Sequence, residues 1–96
     1  MVDLAKQDFP LVGGRIDVVG EVPMPTLVYH HAKHLISLTA VPAPGRANSA
    51  PVPSVVSGYN MYRWAENGVT YTAVSDVAPA ELDKFAELFR TTPPDQ

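Results

Sequence analysis

SGYNMYRWAENGVTYTAVSD, residues 57–76, is the stretch that decides the fold of this chain. It predicts a β-hairpin, because Asn67-Gly68 favours a two-residue turn in which both central residues have positive φ. A turn at this point places Trp64 opposite Tyr71 and Tyr62 opposite Ala73. Side chains alternate across a strand, so the residues that share this face are Asn60, Tyr62, Trp64, Glu66, Val69, Tyr71, Ala73 and Ser75.

The second face of the predicted hairpin is half polar. It carries Tyr59, Met61, Arg63, Ala65, Thr70, Thr72, Val74 and Asp76. One helix covers only one side of a small sheet, so we expect the aromatic face to be core and the second face to stay open. An apolar patch with a polar rim is typical of an interface. The predicted partner-binding residues are therefore Tyr59, Met61, Arg63 and Val74.

Two occupants of this second face are considered. The N-terminal segment with Leu4, Phe9 and Leu11 can fold over it, or another chain can bind it. We favour another chain, and in particular a second copy, because a segment interrupted by proline and glycine is poorly suited to cover this face. The sequence thus leads us to expect a homodimer.

A helix follows the hairpin. Pro79 suits the first helical position and Glu81 the third. Apolar residues then recur at helical spacing, at Leu82, Phe85, Ala86 and Phe89. We expect this helix to lie across the aromatic face, to end near Arg90 and to leave a frayed tail over residues 91–96.

Upstream residues predict further short strands. Pro23 and Pro25 hold their neighbours extended at a sheet edge or strand start, because proline donates no ladder hydrogen bond. Residues 26–30 and 34–41 predict a second hairpin with its turn at His31-Ala32, which sets Tyr29 opposite His34. Residues 42–56, PAPGRANSAPVPSVV, have no period and predict a mobile loop.

The chain has the length and composition of a single domain spanning residues 1–96. It has 96 residues, of which 46% are hydrophobic and 18% charged. The elements predict an α+β fold, with a small antiparallel sheet of four to five strands and one C-terminal amphipathic helix on one face. The net charge of -3 disfavours nucleic acid and anionic lipid as partners, and the absence of cysteine excludes disulfides and thiol catalysis.

The residues offer little for catalysis, so we expect neither an enzyme nor a cofactor. His30 and His34 would form half of a transition-metal site if they met across their turn. We favour an exposed turn with His34 packed beside Tyr29, and a small-ligand or metal-binding module in the His34/Tyr29 region is the alternative function. Ser75 lacks the sharp strand-to-helix turn of a hydrolase nucleophile, and we expect Ser75 and Asp76 to hydrogen-bond the start of the helix.

Five segments, in order and spacing, resemble the extracytoplasmic C-terminal domain of bacterial membrane-anchored anti-sigma factors that restrain sigma factors of the extracytoplasmic-function class. They are DFPLVGGRIDVV (8–19), TLVYHHAKHLISL (26–38), GYNMYRW (58–64), GVTYTAVSDV (68–77) and AELDKF (80–85). The resemblance covers most of the chain.

The resemblance implies a larger parent protein. Its cytoplasmic part would bind the sigma factor, one transmembrane helix would follow, and this domain would lie in the periplasm as the soluble part of an inner-membrane protein. It implies a non-enzymatic sensory or regulatory domain that controls sigma-factor release, and hence transcription, in response to envelope stress. Contact with the membrane would come only through the transmembrane helix, and no catalytic residue carries over.

Overall fold

A computed structural model describes residues 4–19 and 22–91. Six strands form one sheet: β1 Leu11–Val19, β2 Val22–His31, β3 His34–Pro42, β4 Ser49–Val56, β5 Tyr59–Glu66 and β6 Val69–Ser75. A 3₁₀ turn, Ala5–Gln7, precedes the sheet, and helix α1, Pro79–Thr91, follows it. The predicted α+β fold with an antiparallel sheet and a C-terminal helix is confirmed, but the sheet has six strands where four to five were predicted.

The sheet consists of two three-stranded meanders. The strand order is β1-β2-β3-β6-β5-β4, and every neighbouring pair is antiparallel. Strands β3 and β6 join the meanders at the centre, so the β3–β4 connection must reach the far edge. It passes around the β5–β6 turn, where Ala43 donates its N–H to the Gly68 carbonyl at 2.7 Å. Asn67 donates its N–H to the side-chain oxygen of Asn48 at 3.0 Å.

The hairpin predicted from residues 57–76 is confirmed in register. Its turn falls on Asn67 and Gly68, with φ values of 52° and 76°. Trp64 lies opposite Tyr71, as predicted, and the pairs on either side follow the same register. Asparagine and glycine tolerate positive φ better than other residues, so the chemistry of this turn sets the register.

The β2–β3 hairpin has a register two residues away from the predicted one. Its turn occupies residues 32–33, with Ala32 at φ 54°. Tyr29 faces Ile36, whereas the predicted partner was His34. This turn contains no glycine, so its chemistry does not select its position. Because the error is an even number of residues, the side chains keep their predicted faces.

The segment predicted as a mobile loop is in large part a strand. Ser49–Val56 forms β4 and pairs with β5, with Val52 opposite Arg63 and a one-residue bulge between Ser49 and Val52. The loop prediction is wrong for residues 49–56. Valine favours strands, and an edge strand tolerates proline because one of its sides has no partner.

Strand β1 runs through Gly13 and Gly14, and it bulges just before Gly13. Pro23 and Pro25 pair with β1, and pairing of β2 with β3 begins only at Thr26. The prolines therefore lie at a strand start with one neighbour, as predicted.

Helix α1 lies across the aromatic face of the sheet, as predicted. Its buried stripe is Leu82, Phe85, Ala86 and Phe89. The ring of Phe89 lies 6.1 Å from that of Trp64 and 5.3 Å from that of Tyr71. Trp64 is only 1% exposed, which confirms its predicted position beneath the helix. The helix ends at Thr91, and the rest of the predicted frayed tail lies outside the described residues.

The N-terminal segment packs into this same core. Leu4 and Phe9 are fully buried, and the Phe9 ring lies 5.5 Å from that of Phe85. Leu11 packs against the buried cluster. The segment therefore lies on the helix side of the sheet, so the alternative in which it folds over the second face is wrong.

Candidate partner-binding face

The sheet face opposite α1, which we name the open face, brings the four predicted partner-binding residues together. Met61 on β5 lies directly opposite Val74 on β6, and Arg63 lies opposite Thr72. Tyr59 precedes Met61 by two residues on the same strand and so shares its face. No helix of the described residues packs on this side.

The open face carries several large apolar side chains that remain in contact with solvent. Tyr59 is 51% exposed, and its cross-strand neighbour Val56 is also 51% exposed. Val52 on β4 and Leu35 on β3 are 62% and 55% exposed. Met61 and Val74 are half-buried between them. Tyr59, Val56, Met61 and Val74 occupy neighbouring positions on β4, β5 and β6, so they form a cluster of apolar side chains.

Hydroxyl groups form a row across the middle of the open face. Thr26, Thr39 and Thr72 occupy the same register position on β2, β3 and β6. The hydroxyl oxygens of Thr26 and Thr39 lie 3.4 Å apart. Arg63 on β5 lies opposite Thr72 at one end of the row, and Arg15 on β1 lies opposite Thr26 at the other. Apolar side chains at one end, with hydroxyls and a cation beside them, match the usual layout of a protein interface.

The β4 edge of the sheet is less suited to a partner than this face. Strand β4 contains Pro51 and Pro53, which have no N–H group to donate to an added strand. Prolines on an edge strand are a common device against edge-to-edge pairing. We therefore expect a partner to bind the face of the sheet and not the β4 edge.

A second apolar surface lies on the helix side, beyond the end of α1. A groove of about 450 Å³ is lined by Ile16, Pro25, Ala40, Pro42 and Val69. The 13 residues of α1 span about 20 Å, whereas a strand of nine or ten residues spans about 30 Å. The helix therefore leaves this end of its own face uncovered, and Ile16 is 69% exposed there.

The two histidines of the alternative metal site are not brought together. His30 lies opposite Leu35 and belongs to the open face, whereas His34 lies opposite His31 on the helix side. The Nδ1 atom of His34 instead lies 2.9 Å from Asp76 Oδ1. The described residues contain no group of three or more histidines, cysteines or carboxylates that could hold a metal ion.

His31 has a structural role that the sequence did not reveal. Its Nδ1 lies 2.9 Å from the carbonyl oxygen of Asp8, and its Nε2 lies 2.9 Å from Glu81 Oε2. Its ring stacks on Phe9 with centroids 4.3 Å apart. The sequence predicted an exposed turn residue here, and that prediction is wrong because three distant segments converge on the ring.

Tyr29 is not available to a ligand. It is fully buried, and the rings of Phe85 and Phe89 lie 4.9 Å and 6.4 Å from it. A small-ligand site in the His34/Tyr29 region would require the helix to move away. The alternative function based on these two residues therefore finds no accessible tyrosine.

Ser75 is used within the fold. Its hydroxyl donates a hydrogen bond to the Leu35 carbonyl at 2.8 Å and accepts one from the Val77 N–H at 3.2 Å. The residue is 2% exposed. The helix begins at Pro79, so Ser75 bonds a residue that precedes it and not the helix start that was expected, and Asp76 contacts His34 instead.

Two tyrosines on the helix side have perturbed acidity. Burial, and secondarily the Glu66 carboxylate, raises the pKa of Tyr71 above its ordinary value. Burial and then Asp83 raise the pKa of Tyr62 in the same direction. Both effects favour the neutral phenol, so these side chains behave as parts of the core and not as proton donors at neutral pH.

None of the helices in the described part of the chain combines the length and apolar character needed to cross a bilayer. No known protein family, curated protein or solved structure matches the chain.

Proposed function

We propose that this chain is the non-enzymatic periplasmic sensory domain of a transmembrane anti-sigma factor. In this proposal a partner protein occupies the open face, and its binding or release changes how the cytoplasmic part of the parent protein holds its sigma factor. The resemblance of five ordered segments, from Asp8 to Phe85, supports the anti-sigma assignment. The open face supports a role in binding.

One observation carries the binding role. Tyr59 stays 51% exposed, although its own strand β5 buries Tyr62 and Trp64 on the other side, and β4 adds Val52 and Val56, both more than half exposed, to the open face. Exposed apolar surface of this extent tends to mark an interaction site. The N-terminal segment was the other candidate to occupy the open face, but its residues Leu4 and Phe9 pack into the core on the helix side.

The fold also offers a route from the open face to the chain that would precede this domain. Strands β2 and β3 present Val28 and Leu35 to the open face and Tyr29 and Ile36 to the core. The core in turn holds Leu4 and Phe9 of the N-terminal segment. A partner on the open face would therefore lie one sheet thickness away from the residues that connect to a preceding transmembrane helix.

The first test is the coding sequence upstream of Met1. We expect it to encode an apolar span of about 20 residues, preceded by a cytoplasmic domain. An open reading frame that starts at Met1, with no such span, would contradict the proposal that the parent protein is anchored in the membrane.

The second test is a transcriptional reporter driven by the cognate sigma factor in cells that carry the full-length gene. We expect Tyr59→Glu to leave sigma-factor binding intact and to change the response to envelope stress. Ile16→Glu is the matched control, because Ile16 is also an exposed apolar strand residue but lies on the helix side. Equal effects of both variants would argue against the open face, and absence of repression by the wild-type gene would refute the anti-sigma role.

A second copy of this chain is the alternative occupant that we carry forward from the sequence. The structure adds one relevant feature. Strands β3 to β6, whose side chains are all described, place Arg63 on the open face and no carboxylate there. Two copies related by a two-fold axis would bring like charges together, so we favour a different protein as the partner.

A further inference from the structure

A shallow pocket of about 170 Å³ opens on the β4–β5 side of the open face. It is lined by Arg46, Ser49, Val52, Ser54, Met61 and Arg63. It lies beside the β4 bulge, where one extra residue between Ser49 and Val52 interrupts the ladder with β5. Bulges often redirect side chains at binding sites, and the pocket beside this one is lined by two serines and two arginines.

The loop that carries Arg46 is held by hydrogen bonds both before and after this residue. Before it, Ala43 is hydrogen-bonded to Gly68, and the N–H of Arg46 itself donates to the Ala43 carbonyl at 3.1 Å. After it, the side-chain oxygen of Asn48 accepts a hydrogen bond from the Asn67 N–H at 3.0 Å. Arg46 is therefore held near the pocket by the backbone, and less ordering is needed when a ligand binds.

Neither arginine of this pocket is paired with a carboxylate of the described residues. The contacts between basic side chains and carboxylates in the described part of the chain include those of His31 with Glu81, His34 with Asp76, and Arg90 with Glu87. Neither Arg46 nor Arg63 takes part in any of them. The chain as a whole has a net charge of -3, but two unpaired guanidinium groups make this part of its surface positive. A positive surface of this kind fits an anionic ligand.

The hydroxyls of the pocket add donors to those of the arginines. Ser49 Oγ accepts a hydrogen bond from the Ala65 N–H at 3.1 Å, which leaves its O–H free to donate. Each guanidinium presents up to five N–H groups in a planar fork that matches the two oxygens of a carboxylate. Val52 and Met61 supply apolar contact next to these donors.

We propose that this pocket binds a carboxylate side chain of the partner protein, presented next to an apolar patch of that protein. The inference rests on the proposed function, because it names the chemistry of the partner on the same open face. The pocket is shallow and continuous, through Met61, with the exposed apolar residues Tyr59 and Val56, which suits a protein surface and not an enclosed small molecule. The carboxylate orients the partner, and the apolar neighbours supply contact area.

The test is a titration of the 96-residue protein followed by the backbone N–H and arginine Nε–H signals in NMR spectra. The probe is the capped peptide Thr-Val-Glu-Val-Thr, and the matched control peptide has Gln in place of Glu. We expect saturable shifts at Arg46, Ser49 and Arg63 with the Glu peptide, at least about tenfold weaker binding of the Gln peptide, and loss of binding at high salt.

Variants connect these shifts to the pocket. Arg63→Gln and Arg46→Gln should each weaken binding of the Glu peptide by at least about tenfold. Lys84→Gln is the control, because Lys84 is an exposed cation on α1 and removes the same formal charge from the other side of the sheet. Equal weakening by all three variants would mean that net charge alone attracts the peptide, which would overturn the inference.

Other anions are separate arms of the test. Inorganic phosphate that shifts the same signals at lower concentration than the Glu peptide would indicate a general oxyanion site and overturn the inference. Cosedimentation with phosphatidylglycerol vesicles, lost in Arg63→Gln, would indicate a lipid headgroup and overturn it too. Absence of saturable shifts with the Glu peptide up to millimolar concentrations would also overturn the inference.

These outcomes are distinct from failure of the proposed function. Peptide binding needs neither the membrane nor a sigma factor, so it can succeed when the transcriptional reporter shows no repression. Conversely, the reporter can respond to Tyr59→Glu while the Glu and Gln peptides bind alike, in which case only the carboxylate inference fails.

Discussion

The Nε2 atom of His31 lies 2.9 Å from Oε2 of Glu81, and this contact joins the end of β2 to the first turn of α1. The same imidazole reaches the Asp8 carbonyl through Nδ1 and stacks on the Phe9 ring at an interplanar angle of 16°. Three parts of the chain that are distant in sequence therefore meet on one side chain. They are the N-terminal segment, the sheet and the helix.

We expect His31 and Glu81 to be coupled in stability. The side chain of His31 is 18% exposed and that of Glu81 44%, so the interaction is partly screened by solvent. A double-mutant cycle with His31→Gln and Glu81→Gln should give a coupling free energy of about 0.2–1 kcal/mol, measured by urea unfolding.

The contact of His34 with Asp76 serves as the matched control. It has the same distance of 2.9 Å, but its side chains are 42% and 58% exposed. Its coupling should be smaller than that of His31 with Glu81. A larger coupling for the exposed pair, or none for the inner pair, would show that His31 does not join the helix to the sheet in solution.

Trp64 should be indispensable to the core. Replacement of a buried aromatic ring by alanine typically costs about 3–5 kcal/mol, against a total of about 5–15 kcal/mol for a domain. Trp64→Ala is therefore expected to be unfolded or close to it, as judged by near-ultraviolet circular dichroism and urea titration. Tyr59→Ala is the control at an exposed aromatic and should change the unfolding free energy by about 0.5 kcal/mol or less. Equal midpoints for both variants would contradict the burial of Trp64.

Tyr71 should make the protein less stable at alkaline pH. Burial, followed by the nearby Glu66 carboxylate, raises its pKa, so the folded state holds the neutral phenol more strongly than the unfolded chain does. This contribution is present below the ordinary pKa of tyrosine and is lost as the pH rises through the folded-state pKa. Urea midpoints measured from pH 8 upward should fall less steeply in Tyr71→Phe than in wild type.

Tyr59→Phe controls for the loss of a hydroxyl at an exposed position. Its alkaline slope should match that of wild type. If Tyr71→Phe also kept the wild-type slope, the ring of Tyr71 would have to be in ordinary contact with water.

Strand β4 should contribute to stability despite its prolines. Replacing residues 49–56 by a Gly-Ser sequence of equal length removes the partner of β5 and should lower the melting temperature by many degrees, at roughly 4–8 °C per kcal/mol. Replacing residues 44–47 in the same way leaves β4 intact and should have a much smaller effect. Similar melting temperatures for both replacements would restore the mobile-loop interpretation of the whole segment.

The parts of the fold that the sequence predicted are those with strong local chemistry. The two-residue turn needs positive φ, which Asn67 and Gly68 tolerate, so the register of this hairpin was predicted correctly. The turn after His31 has no glycine, and the predicted register of that hairpin differs from the observed one by two residues. Period-two alternation placed Met61 and Val74 together on one face of the sheet. Helical spacing gave the buried stripe of α1.

The missed features depend on contacts between distant segments. Strand β4 was missed because prolines at 51 and 53 conceal a strand when its neighbours are unknown. The pocket with Arg46 and Arg63 was missed for the same reason, since a mobile loop would not hold Arg46 beside β5. The bridge from His31 to Asp8 and Glu81 spans 23 and 50 positions of sequence, and no local pattern points to it.

The oligomeric state tests the partner of the open face most directly. The sequence suggested a second copy, but two open faces related by a two-fold axis would bring their Arg63 side chains to the same interface without a carboxylate from β3 to β6. We therefore expect light scattering from 10 μM to about 1 mM protein to report the monomer mass of 10.4 kDa throughout. Met61→Glu adds a carboxylate to the centre of the face and Lys84→Glu adds one to α1, and both should also be monomeric. A wild-type mass that rises with concentration, and that Met61→Glu but not Lys84→Glu returns to the monomer, would show that the face binds a second copy.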